Sequence, residues 1–362
     1  MKIVLVITGL GMGGAERQVC DLADQFADKS HQVMLISMTG ETVNRPQSTN
    51  IHIVELNMAK TPMGFIKAYW QMRRLIKQFK PDVVHSHMVH ANIFTRLLRI
   101  STHMRKLICT AHSSNEGGYG RMLAYRVTDG LCDLSTNVSQ EAVDISVERG
   151  IAPALRIIAM PNGIDTVRFT FNQSSRTSLR SRLHVADNTP LILAVGRFTE
   201  AKDYPNLLAA FRQLSHDVNP AQLAIIGIGE KQADIESMAT QLGISSRVHF
   251  LGLRHNVHEW MSAADIFVLS SAWEGFGLVV AEAMACQRVV VATDCGGVKE
   301  VMGNCGFLVP PRNSIALAES LNKALILRPE ASSVQGRLAR QRIVDCYSLE
   351  VQAKRWLTLY QQ

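Results

Sequence analysis

The stretch IFVLSSAWEGFGLVVAEAMACQRVVVAT, residues 266–293, decides the fold. Its first six residues are an apolar, β-branched and aromatic run closing on two serines, the pattern of a buried strand. The turn Glu274-Gly275-Phe276-Gly277 breaks the run, a helix starts near Leu278, and RVVVAT (288–293) opens a second buried strand. Strand, glycine turn, helix and strand make a βαβ unit, and such units build parallel sheets with helices on both faces.

The same alternation runs along the rest of the chain. In the first half KIVLVI (2–7), HQVMLIS (31–37), IHIVEL (51–56), DVVHSH (82–87), KLICTA (106–111), CDLSTNV (132–138) and LRIIAM (155–160) read as strands. Helices are expected between them, among them 15–28 and 65–79. In the latter, Phe65, Tyr69, Met72, Ile76 and Phe79 make one apolar stripe, with Trp70, Arg73, Arg74 and Lys77 off it. The Pro-, Gly-, Asn- and Ser-rich stretch 161–178 interrupts the series and reads as a linker. Strands then resume at PLILAVG (190–196), AQLAIIG (221–227), RVHFLG (247–252), ADIFVLSS (264–271), RVVVAT and GFLVP (306–310), and SLEVQAKRWLTLYQQ reads as a terminal helix. A chain of 362 residues that alternates in this way, with one interruption, predicts two doubly wound α/β domains. Ligands of such sheets sit beyond the carboxyl ends of the strands.

Composition narrows the class. Hydrophobic residues make up 47% and charged residues 19%, as in a well-cored globular protein. No apolar run approaches the roughly 18–20 residues of a membrane span. The opening MKIVLVITGLGMGG does not read as a signal peptide. The seven cysteines are scattered without C-x-x-C, which fits reduced thiols and a cytoplasmic setting rather than disulfides or a zinc site. Of the net charge of +7, much falls in 60–106, where ten Lys/Arg face one acid, Asp82. That window admits two readings: a solvated basic helix surface, or a face for an anionic membrane or acidic substrate.

Two segments of the second half carry chemistry. In 270–300, Glu274 before the helix and Glu282 within it form E-x₇-E, two carboxylates suited to accept hydrogen bonds from sugar hydroxyls beside the helix-start amides. In AVGRFTEAKDYPNLLAAF (194–211), Arg197 and Lys202 place two cations at a strand end, a natural clamp for a diphosphate. Such cations lower the barrier to departure of a diphosphate without a metal. In the first half, TGLGMGGAERQ (8–18) satisfies G-x-G-x-x-G, the dinucleotide fingerprint. An NAD or FAD site also wants an acid at the end of the second strand; here that strand ends in Met-Thr-Gly and the nearest acid is Glu41. His112 follows KLICTA and precedes the polar loop SSNEGGYG; taken alone it serves as well for a loop hydrogen bond as for catalysis. His85 and His87 end a strand, with His90 nearby. No further ligand has metal-site spacing, so the pair is read as facing opposite sides of the strand, in structural or acceptor-cleft roles.

Gly13-Gly14-Ala-Glu-Arg, His112, PNGID, VGRFTEAKD, EGFGLVVAEAMACQRVVVATDCGGVKE and GFLVPP together resemble the retaining nucleotide-sugar glycosyltransferases of family 4 across nearly the whole chain. The resemblance implies the GT-B fold, two facing Rossmann-like domains. Residues 1–165 would bind the acceptor, 166–345 the nucleotide sugar, and 346–362 would return as a helix to the first domain. It implies that Arg197 and Lys202 hold the donor diphosphate with amides of Gly13-Gly14 and Leu278-Val279. Glu274 with Gly275, Phe276 and Gly277 would hold the transferred sugar, Glu282 the ribose, and His112 the donor sugar from the first domain. The base would be read by the loop 252–257. D-x-D is absent from the sequence, and neither Asp165 nor Glu116 makes a matched carboxylate pair with the site glutamates. The resemblance implies a front-face transfer with retention; the absence of D-x-D supports metal-free catalysis, and no cofactor beyond the nucleotide sugar is expected.

A UDP-linked hexose or N-acetylhexosamine is the expected donor. A glycan or polyprenyl-diphosphate-linked sugar is the expected acceptor, in surface polysaccharide (O-antigen, capsule or lipopolysaccharide) assembly. The expected location is cytoplasmic, with residues 60–106 and Phe65, Tyr69 and Trp70 resting on the inner face of the membrane where the basic window is a lipid face. A nucleotide-sugar epimerase of the same fold, or an NAD/FAD oxidoreductase, is the alternative. A nucleic-acid binder would leave Arg197, Lys202, Glu274 and Glu282 idle, so no nucleic-acid partner is expected.

Overall fold

Alternate residues of the first strand, β1 (Lys2–Ile7), enter two different cores, because side chains of a strand leave its two faces in turn. Ile3, Leu5 and Ile7 pack with Val19, Leu22 and Phe26 of the helix Gly14–Asp28 and with Ala353, Trp356 and Tyr360 of the terminal helix Leu349–Gln361. Val4 and Val6 pack with Ala68, Met72 and Ile76 of the helix Pro62–Phe79 and with Phe94 and Leu98 of the helix Val89–Arg99. The computed structural model describes residues 1–113, 118–214 and 220–362.

In the first unit, Met1–Gly163 with Leu349–Gln362, β1 is joined by β2 (Gln32–Ser37), β3 (His52–Glu55), β4 (Val83–His87), β5 (Leu107–Ala111), β6 (Leu134–Asn137) and β7 (Ile157–Ala159). All pair in parallel in the order β3-β2-β1-β4-β5-β6-β7. The second unit, Ile164–Ser348, holds β8 (Leu191–Val195), β9 (Gln222–Ile226), β10 (Val248–Gly252), β11 (Ile266–Leu269), β12 (Val289–Thr293) and β13 (Phe307–Val309), parallel in the order β10-β9-β8-β11-β12-β13. The strand order reverses between β1 and β4 and again between β8 and β11, the points at which doubly wound sheets bind ligands. The chain leaves the first unit after Gly163 and re-enters it at Leu349. Ile164 bridges Ser348 in parallel and its N–H donates to the Tyr347 carbonyl at 2.8 Å.

The helix Pro62–Phe79 starts where Thr61 Oγ1 accepts from Gly64 N–H at 3.1 Å with Pro62 as first residue, a proline position that loses no hydrogen bond. It ends at Lys80, whose φ of 51° turns the chain out of the helix. Its core line is Ala68, Met72 and Ile76, flanked by Tyr69 and Phe79. Phe65, expected on that stripe, stays 39% exposed and meets the core through ring contacts, edge-on to Phe94 at 5.0 Å and tilted against Tyr69 at 6.4 Å.

The basic window is not one face. Arg96 is buried beside Asp129, Arg99 pairs with Asp133, and Arg105 pairs with Asp82. Lys106 Nζ donates to the Leu359 carbonyl at 2.5 Å, and Arg73 Nε to the Ser101 carbonyl at 3.2 Å. Sequence proximity gathered these cations, but the fold sends them inward and to different edges. Among the residues that stay outward on the helix Pro62–Phe79, Met63, Ile66, Lys67, Trp70, Arg74 and Lys77 make one stripe at helical spacing. Among the described residues, no helix is long and apolar enough to cross a membrane.

Candidate active site

The site of the second unit assembles at the carboxyl ends of β8 and β11. After β8 the chain turns through Gly196 and Arg197 into a 3₁₀ turn, Glu200–Lys202. After β11 it passes Ser270 and Ser271 to Glu274. Ser270 Oγ donates to the Lys202 carbonyl, and Ala272 N–H to the Ala201 carbonyl, both at 2.8 Å, so the two segments are laced together. Lys202 Nζ then ion-pairs with Glu274 Oε1, and Ser271 Oγ donates to the same oxygen at 2.7 Å. Lysine and glutamate side chains are 21% and 13% exposed, close enough to solvent for a ligand to reach them.

Backbone fit sets the position of Glu274. Gly296 lies so close that a Cβ there would sit 2.2 Å from the Glu274 carbonyl oxygen, and its φ of +58° suits glycine. Gly297 N–H donates to the Gly275 carbonyl at 3.0 Å. The Phe276 side chain is buried, its ring 5.7 Å from that of Tyr347; it anchors the turn and leaves only its backbone to a ligand. Gly277, at φ +84°, precedes the helix Leu278–Ala285. The Gly277 carbonyl takes the N–H groups of Val280 and Ala281. The Leu278 and Val279 amides, ahead of the first intrahelical bonds, are the groups such an end offers to an anion. Glu282 stands one turn into that helix, half-buried.

Arg197 is exposed, and its guanidinium makes no ion pair among the described residues. Two side chains that the sequence did not single out hold the site together. Ser271 fixes Glu274, and Tyr204 O–H donates to the Gly196 carbonyl at 2.8 Å. Burial, with the Glu274 carboxylate adding to it, pushes the Tyr204 phenol up, so it remains a donor. The signal for Ser271 was the serine pair closing the strand; nothing in the sequence marked Tyr204 apart from core aromatics.

In the first unit, Gly13 caps the helix that begins at Gly14. Glu16 folds back over it: a Cβ at Gly13 would lie 2.1 Å from Glu16 Oε2. A carboxylate thus lies against the helix start to which a phosphate role is assigned. His112 follows β5; of the polar stretch after it, Ser114, Asn115, Glu116 and Gly117 lie outside the described residues. Burial pushes His112 down to about 4, so its imidazole is neutral at neutral pH.

His85 and His87 face the same side of β4, contrary to the opposite sides expected, because residues two apart on a strand share a face. Their ring centroids are 4.0 Å apart, and His87 Nδ1 lies 3.2 Å from His112 Nε2.

Two family models divide the chain as the fold does. Glycosyltransferase Family 4 matches residues 12–168, and Glycosyl transferases group 1 matches 175–342. The chain belongs to the glycosyltransferases of the family 4 type and has the GT-B fold. It is 23% identical to N-acetyl-alpha-D-glucosaminyl L-malate synthase of Bacillus anthracis, over 99% of this chain and 97% of that one. It is 24% identical to the lipopolysaccharide core biosynthesis glycosyltransferase LpsE of Rhizobium meliloti, over 92% of this chain and 94% of that one. The crystal structure of HepE from Anabaena, in complex with UDP, matches with a TM-score of 0.84 and 21% identity, covering 100% of both chains.

Proposed function

We propose that this glycosyltransferase moves a hexose or N-acetylhexosamine, with retention and without a metal, from a UDP-sugar to a glycan or polyprenyl-diphosphate-linked acceptor in surface polysaccharide assembly. The observation that carries the reading is the Lys202–Glu274 pair at the ends of β8 and β11, beside the amides of Leu278 and Val279. Cation, amides and carboxylate on neighbouring strand ends suit a ligand with a diphosphate at one end and hydroxyls at the other. In this assignment Arg197, Lys202 and the two amides hold the diphosphate, Glu274 the sugar hydroxyls, and Glu282 the ribose. Gly13 and Gly14 offer amides, and His112 acts on the donor sugar. The bond from the anomeric carbon to phosphate oxygen breaks, the bond to the acceptor oxygen forms on the same face, and the acceptor proton passes to the leaving diphosphate. Cations that neutralise that diphosphate act most strongly in the transition state, which is what accelerates the step. UDP is favoured because HepE binds it, and a polysaccharide acceptor because LpsE acts in lipopolysaccharide core biosynthesis.

Calorimetry with UDP-, GDP-, ADP- and dTDP-sugars tests the donor. A UDP-sugar is expected to bind at least about tenfold more tightly than the others, a preference of about 1.4 kcal/mol. Mass spectrometry of products with lipid-linked acceptors then reads the transfer. Equal binding of all four donors, or turnover without an acceptor, overturns the reading.

The outward stripe of the helix Pro62–Phe79 is proposed as the contact with anionic lipid. Met63, Ile66 and Trp70 are exposed beside Lys67, Arg74 and Lys77, an apolar wedge with basic flanks. Tyr69 does not join them, since its hydroxyl is 2.6 Å from Ser101 Oγ. Charge neutralisation at Lys67, Arg74 and Lys77 (each to Gln) is expected to lower affinity for anionic vesicles, read by co-sedimentation, about a hundredfold, at about 1 kcal/mol per cation. Equal sedimentation of wild type and variant at low salt would remove the lipid contact and leave the transferase reading untouched.

A further inference from the structure

A column of histidines runs through the first unit from the terminal helix to His112. His85, on β4, is fully buried. Its Nδ1 lies 2.6 Å from Tyr360 Oη and its Nε2 2.6 Å from Thr110 Oγ1. Its ring lies between Trp356, at 4.4 Å between centroids, and His87, at 4.0 Å. His87, also buried, continues the column through its Nδ1, 3.2 Å from His112 Nε2. All three imidazoles are held below their ordinary range, first of all by burial, and are neutral at neutral pH.

Two neutral imidazoles that share a hydrogen bond have only two proton arrangements. Nε2 of His87 is buried with no hydrogen-bond partner among the described residues. An orphaned N–H there costs more than a bare lone pair. The proton of His87 therefore sits on Nδ1, which donates to His112 Nε2, and His112 carries its own proton on Nδ1. The hydrogen bond at one ring nitrogen thus sets what the other offers.

We infer that His87 is a positioning residue for the transfer reaction: it fixes the orientation of His112 and its Nδ1–H tautomer, braced through His85 by the terminal helix. This rests on the proposed role of His112 on the donor sugar.

Kinetics and ring-nitrogen NMR test this together. His87→Leu is expected to lower kcat about tenfold with the donor KM within about twofold, the signature of a misplaced group rather than of lost binding. His87→Asn, which sets an amide N–H where Nδ1–H stood, is expected to recover most of the loss. In a His112→Ala background His87→Leu should change kcat less than about twofold, because the two act as one unit. Effects that multiply, or an Asn variant as slow as Leu at an unchanged melting temperature, overturn the inference. Proton–nitrogen correlation on histidine-labelled protein needs no turnover. It is expected to show His112 as Nδ1–H in the wild type and as a tautomer mixture in His87→Leu. His112 as Nε2–H in the wild type, or the same spectrum in both proteins, overturns it. If no nucleotide sugar is turned over, the transferase reading of the site fails, and the tautomer measurement still decides the role of His87.

Discussion

Lys202→Ala is expected to lower kcat for sugar transfer by about a hundredfold to a thousandfold, the cost of removing one preorganised donor from a developing charge. Its ammonium is held by Glu274 Oε1, whose other partner is Ser271, so it stands in place before any ligand arrives. The methylenes lie against Gly196, where a Cβ would be 3.1 Å from Lys202 Cδ and Cε. A planar guanidinium differs from a compact ammonium in shape and donor geometry, so Lys202→Arg is expected to rescue poorly. Steady-state rates with donor and acceptor, compared with donor affinity by calorimetry, give the measurement. A variant that keeps wild-type kcat places the diphosphate elsewhere.

The second large effect is on stability. Arg96 is 1% exposed and Asp129 4%, and their Nη2–Oδ1 distance is 3.3 Å. The guanidinium also donates to the Tyr125 carbonyl at 3.1 Å and to Ser135 Oγ at 2.8 Å. Ser135 Oγ in turn donates to Asp129 at 2.8 Å. Arg96→Met removes one member and leaves a buried carboxylate with Arg156, 3.7 Å away, as its remaining ion-pair partner. The expected loss is about 3 kcal/mol, the low end for breaking a buried pair, or roughly 10 °C in melting temperature. Adding Asp129→Leu should return much of that loss, because an apolar pair of similar volume avoids the desolvation cost. A double variant less stable than the single one would show that the network contributes more than ion pairing.

Much of this was legible in the chain. Every strand of both sheets lies within a run read from the sequence, because buried parallel strands are written as short β-branched runs that need no partner to be recognised. The glycine turn ahead of Leu278 and the residues Lys202 and Glu274 were marked by their position at strand ends. Where the reading went wrong, distance along the chain stood in for distance in space. The ten cations of 60–106 look like one basic face, yet Arg96, Arg99 and Arg105 are committed to Asp129, Asp133 and Asp82. His85 and His87 lie two apart on β4 and so share a face, not the opposite sides expected, and that shared face builds the histidine column.

The sequence by itself determined the strands, the helices between them, the interruption after residue 160 and the residue types at the strand ends, since each depends on local periodicity and turn chemistry. Tertiary structure alone decided that Lys202 and Glu274 are an ion pair, although 72 residues separate them. It also decided that Tyr360, 275 residues from His85, bonds to it. Such contacts depend on strand order and on where the terminal helix docks. Those are set by the sum of many packing contacts, which no short window of sequence contains.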